Sequence, residues 1–173
     1  IHIEDGYTYQ AVESQSANIE LMDILSVYYI GFNLKSNHPL VRSNTARKAL
    51  NYAVNKEKMI REGLLNFASV SSSPAPAGMF SNEYNLEPFP YNPGKARQML
   101  AESGVKDLNL TLYARDDGEK GLFSRTLPYI KNDLESIGIK LNIHRSPCAE
   151  FLKRRHYAKG DIFFSRWVGD TTD

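Results

Sequence analysis

Residues 108–170 read LNLTLYARDDGEKGLFSRTLPYIKNDLESIGIKLNIHRSPCAEFLKRRHYAKGDIFFSRWVGD. The changes of hydrophobic period within this stretch decide the fold. Residues 108–114, LNLTLYA, alternate apolar and polar, the pattern of a half-buried strand. From Leu122 onward, Leu127, Ile130, Leu134 and Ile137 recur at helical spacing, and Gly138 offers a left-handed stop. Pro128 falls in the first turns of that helix, where it is tolerated. Residues 139–144, IKLNIH, read as the next strand. Ser146-Pro147 then opens a helix over CAEFLKRRHYA, and Gly160 leads into a strand over DIFFS, residues 161–165. Strand, helix, strand, helix, strand with short connections predicts a parallel sheet built by right-handed crossovers. Such sheets hold ligands beyond the carboxyl ends of their strands. RWVGD, residues 166–170, follows the last strand directly, so the tail is a candidate site by position alone.

Upstream, SVYYIGFNL (residues 26–34) is aromatic and β-branched and predicts a strand. Ser43 or Asn44 can cap a helix over TARKALNYAV, whose Ala46, Ala49, Leu50 and Ala53 form a narrow apolar face. Asn55 can cap a second helix, KEKMIREGLL, with Met59, Ile60 and Leu64 inward. Residues 66–93 have no period and hold five prolines, the mark of a long functional or surface-wrapping excursion. Asn92-Pro93 is a cap-then-N1 pair opening GKARQMLAES, with Gly104 as its stop. Residues 1–23 read as one or two short strands with turns.

The 173 residues fit one domain, or one lobe with a connector. Apolar residues are 42% and charged residues 24%, ordinary globular composition. Lys plus Arg is 21 against 20 for Asp plus Glu, so no electrostatic footprint for nucleic acid or an acidic membrane is present. Cys148 is the single cysteine, which excludes an internal disulfide. No apolar run approaches the roughly 18 residues of a membrane span. The chain opens IHIEDGYTYQ, without a methionine or a signal-peptide pattern. It reads as a piece of a longer protein, so the missing signals carry no address for the parent.

Catalytic and metal inventories come up empty. His2, His38, His144 and His156 are scattered, with no ligand spacing. Asp170 and Asp173 could join Asp116-Asp117 around calcium, but the spacing of a calcium loop is absent. There is no Gly-x-Ser-x-Gly elbow and no glycine-rich phosphate loop. Cys148, near a helix start, reads as an inert side chain. Lys153–His156, KRRH, reads as the solvated face of an amphipathic helix. Catalytic residues, metal ligands and cofactors are therefore expected to be absent.

Several segments together resemble the family 5 extracellular solute-binding proteins. In YYIGFNLKSNHPLVRSNTARKALNYAVNKEKMI, the matching residues are Gly31, Phe32, Asn33, Pro39, Val41, Arg47, Ala49, Leu50, Ala53 and Val54, with SNTA as a short insertion. SSSPAPAGM is similar to the family's proline-rich loop and YNPGKARQMLAESG to its Tyr-Asp-Pro helix. IKNDLESIGIKLNI resembles its Leu-x-x-x-Gly-Ile-x-Val element, and DIFFSRWVGDTTD its Trp-x-x-Asp stretch. A Thr-Thr pair follows Asp170 where members often carry an aromatic or a proline-containing run.

The resemblance implies an α/β fold: a partial C-terminal lobe of a two-lobed, class II periplasmic-binding-protein-like molecule, with a largely parallel sheet flanked by helices. Residues 1–25 would be connector or edge strands from the inter-lobe region, and residues 26–173 the truncated ligand-binding lobe. It implies a non-enzymatic component of an ABC uptake transporter that binds oligopeptides in the cleft between lobes. In peptide-binding members the aspartate of Trp-x-x-Asp pairs with the ligand's α-amino group; here that role falls to Asp170, with Trp167 three residues before it. Backbone groups around Val168 and Gly169 would hydrogen-bond an extended ligand. The implied partners are an oligopeptide or similar small ligand and a membrane permease, with no nucleic acid contacted and a monomeric state. The implied location is extracytoplasmic, periplasmic or lipid-anchored as a lipoprotein. A second class with this fold stays open: the small-molecule-sensing region of a cytoplasmic helix-turn-helix regulator.

Overall fold

The computed structural model describes residues 24–73, 86–156 and 159–169. The strands expected in residues 1–23, and most of the SSSPAPAGM loop, lie outside them. The elements in order are β1 (Ser26–Phe32), α1 (Pro39–Arg42), α2 (Asn44–Ala53), α3 (Lys56–Lys58) continuing into a π-helical turn (Met59–Gly63), and α4 (Pro93–Glu102). Then follow β2 (Asn109–Arg115), α5 (Leu122–Ser136), β3 (Lys140–Ser146), α6 (Cys148–His156) and β4 (Ile162–Val168).

The helix ends follow the chemistry of the residues at them. Ser43 Oγ accepts from Ala46 N at 3.2 Å, so Ser43 caps α2. Asn55 Oδ1 accepts from Lys58 N at 2.9 Å, and Asn92 Oδ1 from Lys95 N at 2.9 Å, each satisfying a free first-turn N–H. Gly104 (φ +69°) and Gly138 (φ +94°) adopt the left-handed conformation at the ends of α4 and α5. The helix expected over KEKMIREGLL is different in kind. It widens to a π turn after one α turn and ends with Leu65 and Asn66 at φ 52° and 63°. Gly63 there is close to Tyr129 of α5, where a Cβ would stand 3.1 Å from the ring. Pro128 is the seventh residue of α5, on its exposed side, and the helix continues through it.

The sheet order is β1-β4-β2-β3. β2 pairs parallel with β3 and with β4, as the crossover pattern predicts. β1 pairs antiparallel with β4 from Ser26↔Val168 to Phe32↔Ile162, an edge strand of opposite sense on a parallel sheet. Two polar residues fix this register. Asn33 N–H donates to Asp161 O at 2.9 Å, and its Nδ2 donates to Gly160 O at 2.7 Å. Asp161 in turn accepts from Thr111 N at 2.9 Å and from Ser36 Oγ at 2.8 Å, so one carboxylate ties β2 and the exit of β1 to the start of β4.

Leu110, Leu112, Ala114, Leu141, Ile162 and Phe164 line one sheet face and pack with Leu40, Leu50, Leu127, Ile130 and Leu134. Each buried aliphatic side chain of this kind contributes roughly 1.5–3 kcal/mol. The crossover through α5 moves outward from β2 to β3, whereas that through α6 returns across β2 to β4. Connections of one hand running in opposite directions lie on opposite faces of a sheet. The exits of β2 and β3 therefore diverge at the carboxyl ends of the strands, the place where open α/β sheets take their ligands.

Candidate functional site

Because β1 is antiparallel, its beginning lies at the same end of the sheet as the ends of β2, β3 and β4. That end collects residues 24–26, 115–118, 146 and 166–169. β4 is longer than the DIFFS segment predicts. Trp167 and Val168, expected after the strand, are its last two residues, held there by pairing with Val27 and Ser26. Gly169 follows, its N–H donating to Leu25 O at 2.8 Å. Trp167 is 41% and Val168 45% exposed, and Ile24 beside them is exposed too. Asp170 lies outside the described residues.

β4 overhangs its parallel neighbour. It pairs with β2 only from Ile162 to Phe164, but with β1 all the way to Val168. Carrying the parallel register on by one residue sets Arg115 level with Ser165. Past that point, among the described residues, 166–168 have a strand on one side only. Their backbone groups facing the β2 side are outside any ladder, which is the geometry that accepts an added extended chain.

The approach to this edge is shaped by the start of α5. Asp117 accepts from Phe123 N at 2.8 Å, Ser124 N at 3.3 Å and Ser124 Oγ at 2.8 Å, closing the helix's first turn. Gly121 makes that closure possible, since a Cβ on it would fall 1.9 Å from the Asp117 carboxyl carbon. Arg145 supports the loop, 2.8 Å from Asp116 and 3.7 Å from Asp117, and also reaches Ser124 Oγ. The acidic pair weighed as a partner for Asp170 and Asp173 around calcium is thus engaged in capping and ion pairing. Among the described residues, no group of three or more His, Cys, Asp or Glu could hold a metal.

Starting α5 here sets Phe123 against the sheet, 4.7 Å from Phe164 and 5.6 Å from Tyr28 between ring centroids. Two guanidinium groups flank this aromatic cluster. Arg115 lies 5.6 Å from the Phe123 centroid and Arg166 lies 5.5 Å from the Tyr28 centroid. Sequence reasoning passed over Arg115 and Phe123, gave Arg166 no role of its own within residues 166–170, and weighed Asp117 only as a calcium ligand. Arg115 ends a strand, so the rule that singled out residues 166–170 reaches it equally; nothing local marks Asp117 as the cap of a helix starting five residues later. An open hollow of about 440 Å³, lined by Glu62, Gly63, Ser124, Arg125, Pro128, Tyr129 and Asn132, lies along the flank of α5 rather than at the strand ends.

Residues 3–173 match the family model described as bacterial extracellular solute-binding proteins, family 5 Middle. The chain belongs to this family. Di/tripeptide-binding protein 2 of Pseudomonas aeruginosa (strain UCBPP-PA14) is 28% identical over 142 residues, 81% of this chain and 27% of that protein. Glutathione-binding protein GsiB of Salmonella typhimurium is 28% identical over 144 residues, 79% of this chain and 26% of that protein. The chain therefore spans about a quarter of the length of the curated relatives it matches. Among solved structures, the periplasmic binding protein DppA of Helicobacter pylori, in complex with the peptide STSA, is 25% identical with a TM-score of 0.73 over 86% of this chain and 28% of that one. The substrate-binding protein CtaP of Listeria monocytogenes shares the fold, with a TM-score of 0.84 at 22% identity over 95% of this chain and 34% of that one. The fold is thus α/β with a mostly parallel sheet, part of a two-lobed binding protein. The family is one of solute-binding proteins, which supports the non-enzymatic reading that the resemblance implies.

Proposed function

We propose that the chain is part of one ligand-binding lobe of an ABC-transporter component that takes an oligopeptide into the cleft between two lobes. The overhang of β4 carries this reading. Among the described residues, 166–168 present backbone groups with no strand on the β2 side, and an extended peptide bonds to such an edge without being read by side chain. Trp167, exposed at the tip, supplies an apolar wall at little entropic cost. Asp170, next in sequence after Gly169, takes the ligand's α-ammonium in this reading, since a charge-assisted bond strengthens in a closed, low-dielectric cleft. The names of the relatives support the class: di/tripeptide-binding and glutathione-binding proteins. No observation favours the regulatory alternative. In this reading residues 1–25 connect lobes and residues 26–173 form the lobe itself. The whole protein acts as an extracytoplasmic monomer, held by a lipid anchor or free in the periplasm, and hands its ligand to a membrane permease.

The test is mass spectrometry of what co-purifies with the full-length protein. Peptides retained by wild type and lost from Asp170→Ala support the assignment. Retention by both forms removes Asp170 from the site, and a sugar or nucleotide in place of peptide overturns the ligand class.

A further inference from the structure

Arg166 stands in an unusual setting for a surface cation. It is half-buried in the overhanging part of β4, directly across the ladder from Tyr28, with its guanidinium 5.5 Å from that ring's centroid. Its Nε is buried and has no hydrogen-bond partner. Among the described residues no carboxylate pairs with it: Asp116 pairs with Arg145, and Asp117 closes the first turn of α5. Arg115, at the end of the neighbouring strand, is likewise in no ion pair among the described residues and leans on Phe123. The rings of Tyr28 and Phe123 are themselves in edge contact, with centroids 5.6 Å apart. Two cations thus flank one aromatic pair, one on the β2 end and one on the β4 overhang.

A desolvated guanidinium is costly unless an anion meets it. A cleft that closes over a ligand removes further water from both groups. A peptide's own C-terminal carboxylate satisfies one cation and leaves the second unmatched. We infer that Arg166 is a specificity-determining residue that selects peptides carrying an additional carboxylate side chain. The cation–π contact with Tyr28 restricts the planar fork, so less freedom is lost when it meets a carboxylate in two-point fashion. This inference rests on the peptide reading of the site and narrows its ligand class.

The experiment is calorimetry on the full-length protein with tripeptide pairs identical except for Glu against Gln at each position in turn. Wild type is expected to bind the Glu peptide of at least one pair about 10-fold or more tightly, the scale of one charge-assisted contact. In Arg166→Met that ratio falls to about one, and in Arg166→Lys it is intermediate, because a point charge replaces a fork. Equal affinity for Glu and Gln peptides in wild type at every position overturns the inference whatever the variants do. A preference that persists in Arg166→Met overturns it as well. Binding of neither peptide overturns the peptide reading, so the two failures are distinguishable.

Discussion

Phe163 and Gly31 face each other across the β1–β4 ladder, and the tip of the Phe163 ring fills the place of a Gly31 side chain. A Cβ on Gly31 would stand 2.2 Å from Phe163 Cζ. The ring also meets Tyr29 edge-on, with centroids 6.2 Å apart, so it cannot move without losing contact there. Gly31→Ala is therefore expected to destabilise the fold by about 1–3 kcal/mol, the cost of overpacking. In a Phe163→Ala background the same change should be near neutral or slightly stabilising, because alanine restricts the unfolded chain. Urea unfolding of the four proteins measures this; an equal loss in both backgrounds would show that the ring is not the obstacle.

Asp117 holds the first turn of α5 and, through it, Phe123 against Tyr28 and Phe164. Asp117→Ala should cost about 1–2 kcal/mol, the range for a lost helix cap. Urea denaturation that shows less than about 0.5 kcal/mol would contradict the capping role.

Trp167, the next-to-last residue of β4, is exposed. Its removal should hardly touch folding: Trp167→Ala is expected to stay within about 0.5–1 kcal/mol of wild type. In the full-length protein the same change should weaken ligand binding by about tenfold, as for an aromatic anchor. A variant that loses stability but keeps its affinity would place Trp167 in the core of the whole protein rather than at the ligand.

Lys56 supports the stretch before α4. Its Nζ donates to Asn51 O at 3.1 Å and to Phe89 O at 3.0 Å, and burial holds its pKa below the ordinary 10.5, partly opposed by the charge of Glu57. The unfolded chain holds this proton more tightly than the folded one. The Lys56 contribution is therefore most favourable above 10.5 and declines as pH falls through the lowered folded value. Thermal melts of wild type and Lys56→Met should show the difference in Tm moving in favour of wild type as pH rises towards 10.5. A pH-independent difference would contradict a buried ammonium here.

Much of this fold is written in local signals. Asn92-Pro93, Gly138 and the Leu127-Ile130-Leu134 stripe mark α4 and α5 because caps, stops and helical period act over a few residues. The parallel pairing of β2, β3 and β4 follows from their alternation with helices. Less legible are relationships that depend on distant partners. Nothing in SVYYIGF says that β1 joins β4 antiparallel, and without that strand Arg166, Trp167 and Val168 read as a loop rather than as a strand extension. The π turn after Lys58, which brings Gly63 against Tyr129, likewise has no local signal in the sequence. The site shows the same division. The strand-end rule points to a candidate location, whereas the lack of an ion pair at Arg115 and Arg166 among the described residues emerges only once the described acids around them are placed.

In the proposed binding mode a peptide lies along the β4 overhang with its amino end on Asp170. This mode is tested most directly by titrating the full-length protein with one tripeptide in free and N-acetylated forms. Acetylation removes the ammonium and leaves the peptide backbone intact. Wild type should bind the free form about 10- to 100-fold more tightly, as expected for a buried charge-assisted bond, and Asp170→Ala should bind the two alike. Equal affinity of wild type for both forms would contradict the account.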